Sequence, residues 1–516
     1  MIDLGSAGRE ELAESSDVCI VGAGAAGLYL ASRLVSQGKS VTLLEAGGRV
    51  CDEGDRIGMR PVFAADPYKG AMDGRAFGWG GSTSRWGGHL IPHTRLDLRR
   101  GEDDDGSPWG HVVSVVEQRS IAVLDRLQIG HDSDFEDLPR RLIPNVVEAM
   151  KGNGLAVLAG EFLPFRRRNL VYLVDEKAER LRTYLNAVVS SWKVVGGSEG
   201  SAGIESIEAR STSGGRVRVS AKHFIVAAGA IESARILLEV SESGGGRIFP
   251  ERARVGAFLS DHLSCRIGDV EPNDRAHAAR AVGPRFANGR MRSFRYVETR
   301  PAPTEPRSFA HFLFEIDNPA FRLAKETLFA IQARRFPKVG VADVVRGLGG
   351  LVSFGFDRYG RARLHIPPGT PVHLQLDIEQ APRLSNSIRL GDERDALGRR
   401  VPIVTWCVSA QDEENIRTTA DRVLSRWPGP SSGLPAIIPV LGRGVDPKPH
   451  DAYHPVGTCR LGSDDEAVAD LSLRVRGTGN LWVLSTGLFP TAGTANPTFS
   501  MLCLGDALAD TLIARL

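Results

Sequence analysis

The chain has 516 residues, which is more than one simple core usually holds and predicts two or three structural units. Its 64 Lys and Arg residues nearly balance its 62 Asp and Glu residues, so no strong field favours nucleic acid or an anionic membrane. Six scattered cysteines without Cys-x-x-Cys spacing argue against a zinc site or a disulfide framework and favour a reducing compartment. The N-terminal stretch lacks the basic and apolar regions of a signal peptide, and no run of about 18 apolar residues could span a membrane. We therefore predict a cytoplasmic protein without a nucleic-acid partner or a transmembrane segment.

The N-terminal region carries the pattern of a dinucleotide-binding βαβ unit. An apolar run at 17–21 leads into glycines at positions 22, 24 and 27, and a second apolar run at 41–44 ends at Glu45, 18 residues beyond the last glycine. These glycines allow a tight turn that brings a pyrophosphate against N–H groups at a helix N-terminus, and the acid is placed to bind a ribose diol. The pattern does not separate FAD from NAD. The predicted contacts are Gly22, Gly24, Ala25, Ala26, Gly27, Glu45 and Ala46.

The C-terminal region contains two short motifs on either side of a strand-like run at 480–487. His454 opens the sequence HPVGTCRLG, and Asn496 lies in TANPT. Asn496 followed by Pro497 predicts a helix start, since Asn caps helices and Pro suits the first helical position. The helix that follows would bury one stripe of side chains, formed by Met501, Leu504, Leu508 and Leu512.

With the N-terminal unit, five motifs spread over most of the chain resemble those of the glucose-methanol-choline (GMC) family of flavin oxidoreductases. The glycine-rich GGSTSRWGG at 80–88 is similar to the family's flavin-contacting loop. VAAGAIESARILL at 226–238 resembles the family's second signature, and VGAFLSDH at 255–262 resembles the segment that returns the chain to the substrate domain. HPVGTCRLG and TANPT resemble the two segments that carry the family's catalytic pair.

The resemblance implies an α/β fold, α+β overall, in which a Rossmann-like FAD-binding domain is joined to a discontinuous substrate domain built on an antiparallel sheet. The alternating stretch 376–401 is similar to the family's substrate-domain sheet. The FAD-binding domain would comprise residues 1–100, 181–265 and 449–516, and the substrate domain residues 101–180 and 266–448.

The resemblance also implies FAD as the bound dinucleotide. Members that bind FAD covalently through a histidine carry it in the glycine-rich loop, where this chain has Arg85, so we predict non-covalent FAD. Val188 and Val189 match the position where the family holds the adenine. In the loop, Trp86 and the glycines are expected to pack along the flavin, while Ser82 and Thr83 hydrogen-bond it. The remaining contacts implied by the resemblance are Gly80, Gly81, Gly87, Gly88, Ala228, Gly229, Gly487, Leu488, Pro497 and Thr498.

The resemblance assigns the chemistry to His454 and Asn496. Oxidation of an alcohol by a flavin removes a proton from the hydroxyl and a hydride from its carbon, so a base must reach the oxygen while the carbon faces flavin N5. His454 matches the family's base, and histidine, with a pKa near 6.5, can be a neutral acceptor in the cytoplasm. Asn496 matches the second position, where its amide would hydrogen-bond the oxygen as alkoxide character develops. The helix N-terminus after Asn496 would favour the anionic reduced flavin.

The predicted substrate is a small-molecule alcohol. SRWGG together with Asn496 is more like bacterial sugar-oxidising members, which points to a hydroxyl of a sugar, amino sugar or glycoside. The electron acceptor stays open between oxygen and another carrier. Three alternatives also stay open: oxidation of a non-sugar alcohol, a non-redox lyase on the same scaffold, and a nucleotide-binding protein without catalysis.

Three further features have no assigned function. Eight arginines at 273–308 could bind a negatively charged substrate, although a solvated loop is the simpler interpretation. Residues 319–351 predict two amphipathic helices, which could form a lid, a partner surface or part of the core. His89 and His93 follow the glycine-rich loop, and we expect a structural or surface position for both rather than a place in the active site.

Overall fold

The fold is described from a computed structural model, which covers all residues except 7, 9–10, 53–56, 100, 103–105, 131–134, 197–200, 247, 300, 334–335, 339, 430–431 and 442–445. Side chains at 341–346, 348–349 and 351 are also outside the description. The strands of the described part are β1 (Ile2–Asp3), β2 (Glu11–Val21), β3 (Val41–Leu44), β4 (Val62–Phe63), β5 (His89–Leu90), β6 (Leu155–Phe162), β7 (Leu181–Leu185), β8 (Val188–Val195), β9 (Gly203–Arg210), β10 (Arg216–Val226), β11 (His262–Val270), β12 (Arg285–Ala287), β13 (Arg290–Glu298), β14 (Ser308–Phe314), β15 (Val372–Glu379), β16 (Ser387–Arg394), β17 (Arg400–Thr405), β18 (Ile437–Pro439), β19 (His450–Asp451) and β20 (Leu481–Val483). The α-helices there are α1 (Ala25–Ser36), α2 (Lys69–Met72), α3 (Pro108–Arg126), α4 (Leu138–Leu142), α5 (Pro144–Lys151), α6 (Phe165–Arg168), α7 (Gly229–Ser243), α8 (Arg275–Ala281), α9 (Pro319–Gln332), α10 (Val341–Gly360), α11 (Ala410–Arg426) and α12 (Pro497–Arg515).

The first sheet has eight strands in the order β1-β7-β3-β2-β10-β9-β8, with β20 beside β10. The strands from β1 to β10 and β20 pair in parallel, whereas β9 and β8 are antiparallel additions. The end of β2 and all of β3 are buried, as expected for parallel strands covered on both faces. The path from β2 through α1 to β3 is the βαβ unit that the glycine motif predicts. The sheet combines strands from three separated stretches of chain, while the boundaries of the five predicted domain parts stay a prediction.

The second sheet has nine strands in the order β18-β11-β15-β14-β13-β6-β5, with β12 beside β13 and β19 beside β11. All its pairs are antiparallel. Its strands alternate apolar and polar side chains, and the apolar face packs against Trp427, which follows α11 and lies 5.2 Å from the ring of Tyr296 and 5.4 Å from that of Phe312. The predicted combination of a Rossmann-like unit with an antiparallel sheet is confirmed.

The stretch 376–401 does not form one sheet, contrary to the prediction. Its first part belongs to β15 in the nine-stranded sheet, whereas β16 and β17 pair with β4 in a separate three-stranded sheet. The reason is tertiary: the N–H of Ile388 donates to the carbonyl of Gly256 at 2.7 Å, which ties β16 to the segment before β11. Strand alternation predicts strands but not their partners.

The two helices predicted within 319–351 are confirmed as α9 and α10. The end of α9 is fixed to the glycine-rich loop, because Gln332 Nε2 donates to the carbonyls of Thr83 at 3.0 Å and Trp86 at 2.8 Å. Asn169 Nδ2 in turn donates to the carbonyl of Gln332 at 3.2 Å. In the chain as described, no helix is both long and apolar enough to cross a membrane.

Candidate active site

The glycine turn between β2 and α1 has the geometry of a phosphate cradle. A Cβ at Gly27 would lie 1.9 Å from the Gly22 carbonyl oxygen, and Gly22 has φ +109°, so both positions require glycine. A Cβ at Gly24 would meet no atom within 4 Å, so this side of the turn is open. Gly24 is the N-cap of α1 and supplies no side-chain cap, so the first N–H groups of the helix, from Ala25 and Ala26 onward, can bind an anion.

Glu45 organises this turn through three backbone N–H groups. Its Oε2 accepts from Ala23 at 2.8 Å, and its Oε1 accepts from Gly47 at 2.9 Å and Gly78 at 2.8 Å. Burial raises the pKa of Glu45 to about 7, and these hydrogen bonds oppose the rise. A hydrogen bond from a ribose hydroxyl to Glu45 stays a prediction. It would use carboxylate lone pairs that the three backbone N–H groups do not occupy.

The glycine-rich loop lies directly against the glycine turn. A Cβ at Gly81 would come within 2.9 Å of the Gly24 Cα, so the two segments touch backbone to backbone. Thr83 donates its hydroxyl to the Gly80 carbonyl at 2.5 Å, and Ser82 donates to that of Gly74 at 3.2 Å. Hydrogen bonds from Thr83 and Ser82 to a flavin remain predictions. Because both hydroxyl protons are donated to backbone carbonyls, each hydroxyl oxygen would accept from the flavin.

A cavity of about 530 Å³ opens beside this loop, a volume typical of ligand sites. Its wall carries four basic side chains, which suit the phosphates of a dinucleotide. The lining combines the loop, the segment after β3 and α9, and comprises Arg49, Val50, Cys51, Trp79, Ser84, Arg85, Asn169, Arg322, Lys325, Glu326, Phe329 and Ala333.

The other predicted cofactor contacts are spread over several elements. Gly487 and Leu488 form a buried 3-10 turn whose carbonyls accept from Cys459 and Leu461, at 2.9 Å each, so they pack against the HPVGTCRLG segment. Trp86 donates to the Arg168 carbonyl at 2.7 Å. Ala46 packs in one apolar cluster with Val188, and Val189 is buried in β8. The remaining contacts lie at the ends of elements: Gly87 and Gly88 end the loop, Ala228 and Gly229 open α7, and Pro497 and Thr498 begin α12.

His262 joins the two predicted catalytic segments. Its Nε2 contacts the Gly493 carbonyl at 2.9 Å, and its Nδ1 contacts His454 Nδ1 at 3.0 Å. A carbonyl can only accept, so His262 carries its proton on Nε2 and accepts at Nδ1. His454 must then donate from Nδ1, which leaves its Nε2 without a proton. Burial lowers the pKa of His454 well below 6.5 and that of His262 to about 4, so both rings are neutral at neutral pH.

Asp261 fixes the backbone at His454. Its carboxylate oxygens accept from the His454 N–H at 2.9 and 3.0 Å, and the Tyr68 hydroxyl also donates to it. Burial raises the pKa of Asp261 to about 8. The ligand atoms of Asp261, His262 and His454 lie within 4.8 Å of one another, as in a metal site. They are already hydrogen-bonded to each other, to Tyr68 and to Gly493, so the arrangement does not require a metal.

Asn496 precedes α12 as predicted, but its side chain does not cap the helix. Its Oδ1 instead accepts from Arg295 Nη2, while Arg295 Nη1 donates to the Thr494 carbonyl at 3.0 Å. The cap interpretation is therefore wrong for the side chain, because a charged donor outcompetes backbone N–H groups and Pro497 has none to offer. Met501, Leu504, Leu508 and Leu512 are buried as predicted, but burial is not limited to one stripe of α12, since Leu502, Cys503 and Ala509 are buried as well.

The polar face of the nine-stranded sheet supplies site residues that the sequence reasoning missed. His311 Nδ1 lies 3.1 Å from Asp377 Oδ2, and Gln375 Nε2 donates to Ser264 at 3.0 Å. Their signal in the sequence is a polar residue at every second position of apolar strands such as VHLQLDIE. With His262 and Arg295, these side chains face the catalytic segments.

His89 and His93 have different surroundings. His93 is buried against Ser500, at 2.9 Å, and the Ala492 carbonyl, at 3.1 Å, which confirms a structural position. His89 contacts Ser293 at 3.0 Å, and its pKa is lowered well below 6.5 by burial and by nearby groups that include Arg295 and His454. His89 also stacks on Phe162, so it has the structural position that we expect, within electrostatic range of His454.

The solvated-loop interpretation of residues 273–308 is also wrong. Strand pairing buries most of the described arginines there, and two of them are compensated by carboxylates: Arg292 pairs with Glu161 at 3.1 Å and Arg307 with Glu379 at 3.2 Å. The nearly or fully buried arginines of the stretch are Arg285, Arg292, Arg295 and Arg307.

Residues 382–505 match the family model described as GMC oxidoreductase, and residues 20–57 match an NAD(P)-binding Rossmann-like domain. An uncharacterised GMC-type oxidoreductase of Mycobacterium tuberculosis is 33% identical over 100 residues, 19% of this chain and 16% of that protein. An oxygen-dependent choline dehydrogenase of Cronobacter sakazakii is 39% identical over 64 residues, 12% of this chain and 11% of that protein. The alignments therefore span less than a fifth of these relatives.

Two solved structures share the fold over nearly the whole chain. Pyridoxine 4-oxidase from Mesorbium loti superposes with a TM-score of 0.57 at 18% identity, covering 96% of this chain and 99% of its own. Formate oxidase from Aspergillus oryzae RIB40 superposes with a TM-score of 0.56 at 17% identity, covering 97% and 98%. At these identities the likeness is one of fold.

Proposed function

We propose that the chain is a GMC oxidoreductase, an FAD-dependent enzyme that oxidises an alcohol group of a small molecule to a carbonyl. The observation that carries the proposal is the hydrogen-bond chain from the Gly493 carbonyl through His262 to His454, which leaves His454 Nε2 as a neutral acceptor. The family relationship to choline dehydrogenase and the shared fold with pyridoxine 4-oxidase support a CH–OH donor.

The residues present fit FAD. The open side of the glycine turn, the uncapped start of α1 and the basic cavity wall suit its pyrophosphate, and Arg85 stands where covalently linked family members carry histidine. We therefore propose non-covalent FAD, held by the turn, the glycine-rich loop and residues 487–488. Bound FAD supplies the acceptor for a hydride.

The reaction divides between two side chains. His454 Nε2 takes the hydroxyl proton of the substrate, because its Nδ1 proton is committed to His262. Asn496 presents its Nδ2 donors to the same oxygen as negative charge develops there, because its Oδ1 is occupied by Arg295. Asp261 holds the His454 backbone in place through this step.

Substrate class, electron acceptor and compartment are further parts of the proposal. We propose a sugar, amino-sugar or glycoside hydroxyl, on the likeness of SRWGG and Asn496 to sugar-oxidising members, with oxygen or another carrier as electron acceptor. The six cysteines are all unpaired, which supports a reducing compartment such as the cytoplasm. Oxidation of a non-sugar alcohol and a non-redox lyase remain the alternatives.

Anaerobic mixing of the yellow holoprotein with sugars, glycosides and simple alcohols tests the proposal. We expect the flavin to bleach, and His454→Ala to slow bleaching by roughly 100-fold or more while FAD stays bound. His277→Ala is the matched control, since this half-buried histidine lies on α8 and hydrogen-bonds the Gly433 carbonyl. Turnover without bleaching would indicate a lyase, and a purified protein without flavin absorbance would contradict FAD binding.

A further inference from the structure

Arg295 differs from the other buried arginines of residues 273–308. It is 6% exposed, and its Nη atoms donate only to neutral oxygens, the Thr494 carbonyl at 3.0 Å and Asn496 Oδ1. Its guanidinium lies 3.8 Å above the ring of Phe309. Among the described residues, no carboxylate lies within ion-pair distance of it, whereas Arg292 and Arg307 each have one. A buried charge is costly unless an opposite charge compensates it.

The two carboxylates near Arg295 are engaged elsewhere. Asp377 lies 3.1 Å from His311, and Asp97 accepts from the N–H and the hydroxyl of Thr494 at 2.6 and 2.9 Å. Burial lowers the pKa of Arg295 to about 10 in spite of both acids, so the group stays cationic at neutral pH. Among the described residues, further titratable neighbours of Arg295 are the histidines His89, His93, His262 and His454. Arg295 is therefore the one charged basic group among these neighbours, and the two carboxylates near it are held by other partners.

We propose that Arg295 binds an anionic group of the alcohol, so that the substrate is a hydroxy acid, sugar acids included. This rests on the proposed function, in which Asn496 bonds the reacting oxygen. Because Arg295 touches Asn496, a carboxylate bound to Arg295 lies within a few bonds of the carbon that loses hydride. The Nε of Arg295 has no hydrogen-bonded partner in the described part of the chain, so the guanidinium keeps donors for a carboxylate.

The same contacts of Arg295 are compatible with a second role. Arg295 could serve only to orient the Asn496 amide, as a positioning residue. Loss of Arg295 would then slow oxidation of every alcohol by the same factor, whereas loss of an anion site slows oxidation of acids selectively. The comparison of acids with matched neutral amides separates the two.

The experiment uses the holoenzyme and the pairs glycolate and glycolamide, lactate and lactamide, and gluconate and gluconamide, with anaerobic flavin reduction as the readout. We expect the wild type to prefer the acids. Arg295→Met should slow both classes by a common factor, because Arg295 also orients Asn496. It should lower kcat/KM for the acids by a further 10- to 100-fold, roughly, mainly through KM. Arg295→Lys should restore part of the preference. Binding of acetate against acetamide, followed by the flavin spectrum, should show the same selectivity without turnover.

Arg292→Met is the matched control, because it removes a buried arginine from the same strand where the side chain pairs with Glu161. It should change acids and amides equally. Equal losses for acids and amides in Arg295→Met, or a wild type without preference for acids, would overturn the inference; the wild-type ratio decides even if the variant does not fold. Oxidation of neutral alcohols alone would overturn only this inference, whereas no bleaching by either class would overturn the proposed function.

Discussion

At the scale of single residues, the protonation state of His454 is set by its surroundings. Burial and the neighbouring His262 lower its pKa well below the ordinary 6.5, so it is a neutral base throughout the neutral range. We predict that the rate of anaerobic flavin reduction stays level from pH 8 down to 6.5 and declines only at lower pH. Stopped-flow measurements across this range check it. A decline centred at or above pH 6.5 would contradict the lowered pKa of His454.

The burial of His262 predicts a pH-dependent stability. Its pKa is lowered to about 4 in the folded chain but is about 6.5 when unfolded, so between these values only the unfolded state binds the proton. Its contribution is therefore complete above pH 6.5 and lost as pH falls toward 4, by about 3 kcal/mol in all.

The contribution of His262 is measured by comparing the wild type with a variant at two pH values. The free energy of unfolding, from denaturant titrations at pH 7 and 4.5, should fall more steeply for the wild type than for His262→Gln. Parallel curves for the two proteins would show that His262 is protonated in the folded state. Asp261 has the opposite effect, because its folded pKa of about 8 makes the folded state more stable as the pH falls. Both proteins contain Asp261, so its effect cancels in the comparison.

The sequence predicts the positions of His454 and Asn496 but not what holds them. Motif order is enough to predict the proposed catalytic pair, because HPVGT and NPT are local patterns. Arg295 and His262 reach this pair from residues about 200 positions away in sequence. Alternation marks them as polar positions on strands, but a contact over that separation depends on sheet register, which local pattern does not specify.

At the scale of elements, the strand and helix positions follow closely from local chemistry. The β2-α1-β3 unit follows from apolar runs around the glycine turn, and α12 starts at Pro497 as its cap sequence predicts. The alternation at β16 and β17 predicts the wrong sheet for this hairpin, because its pairing with β4 depends on a contact with the segment before β11.

The contact of α9 with the glycine-rich loop predicts an effect on cofactor retention. Gln332 is 2% exposed and its amide donates to two loop carbonyls, so Gln332→Leu leaves both carbonyls without that donor. We expect FAD affinity to fall roughly 10-fold or more, since each buried hydrogen bond contributes about 1 kcal/mol and an unsatisfied carbonyl costs more.

Fluorescence titration of the apoprotein with FAD measures this effect. Gln118→Leu on α3 is the matched control, because its amide bonds Ser114 on an exposed surface. Its FAD affinity should match the wild type. Unchanged affinity in Gln332→Leu would mean that α9 does not support the loop.

At the scale of the whole molecule, the fold depends on contacts between the two ends of the chain. Strands from the N-terminal, middle and C-terminal stretches share one sheet, and α1 packs against α12 and α12 against α3. Asp506 on α12 is at the centre of this helix packing. Its carboxylate accepts from the Tyr29 hydroxyl at 2.8 Å and pairs with Arg33 at 2.7 Å and Arg119 at 3.4 Å.

Asp506→Asn should therefore destabilise the whole protein rather than one end of it. The Asp506 side chain is 2% exposed, and Asn cannot replace its ion pair with the half-buried Arg33, which keeps only the more exposed Asp510. We expect a loss of about 2 to 3 kcal/mol, as for a hydrogen bond to a charged group. Asp510→Asn is the control, because Asp510 contacts the same two arginines but is 44% exposed, and its loss should stay within about 1 kcal/mol.

Chemical unfolding followed by both flavin release and circular dichroism measures the two variants. The two signals should shift together in Asp506→Asn, since the glycine turn and α12 share one core. Separate transitions, or equal losses in the two variants, would show that the chain ends are not coupled through this carboxylate.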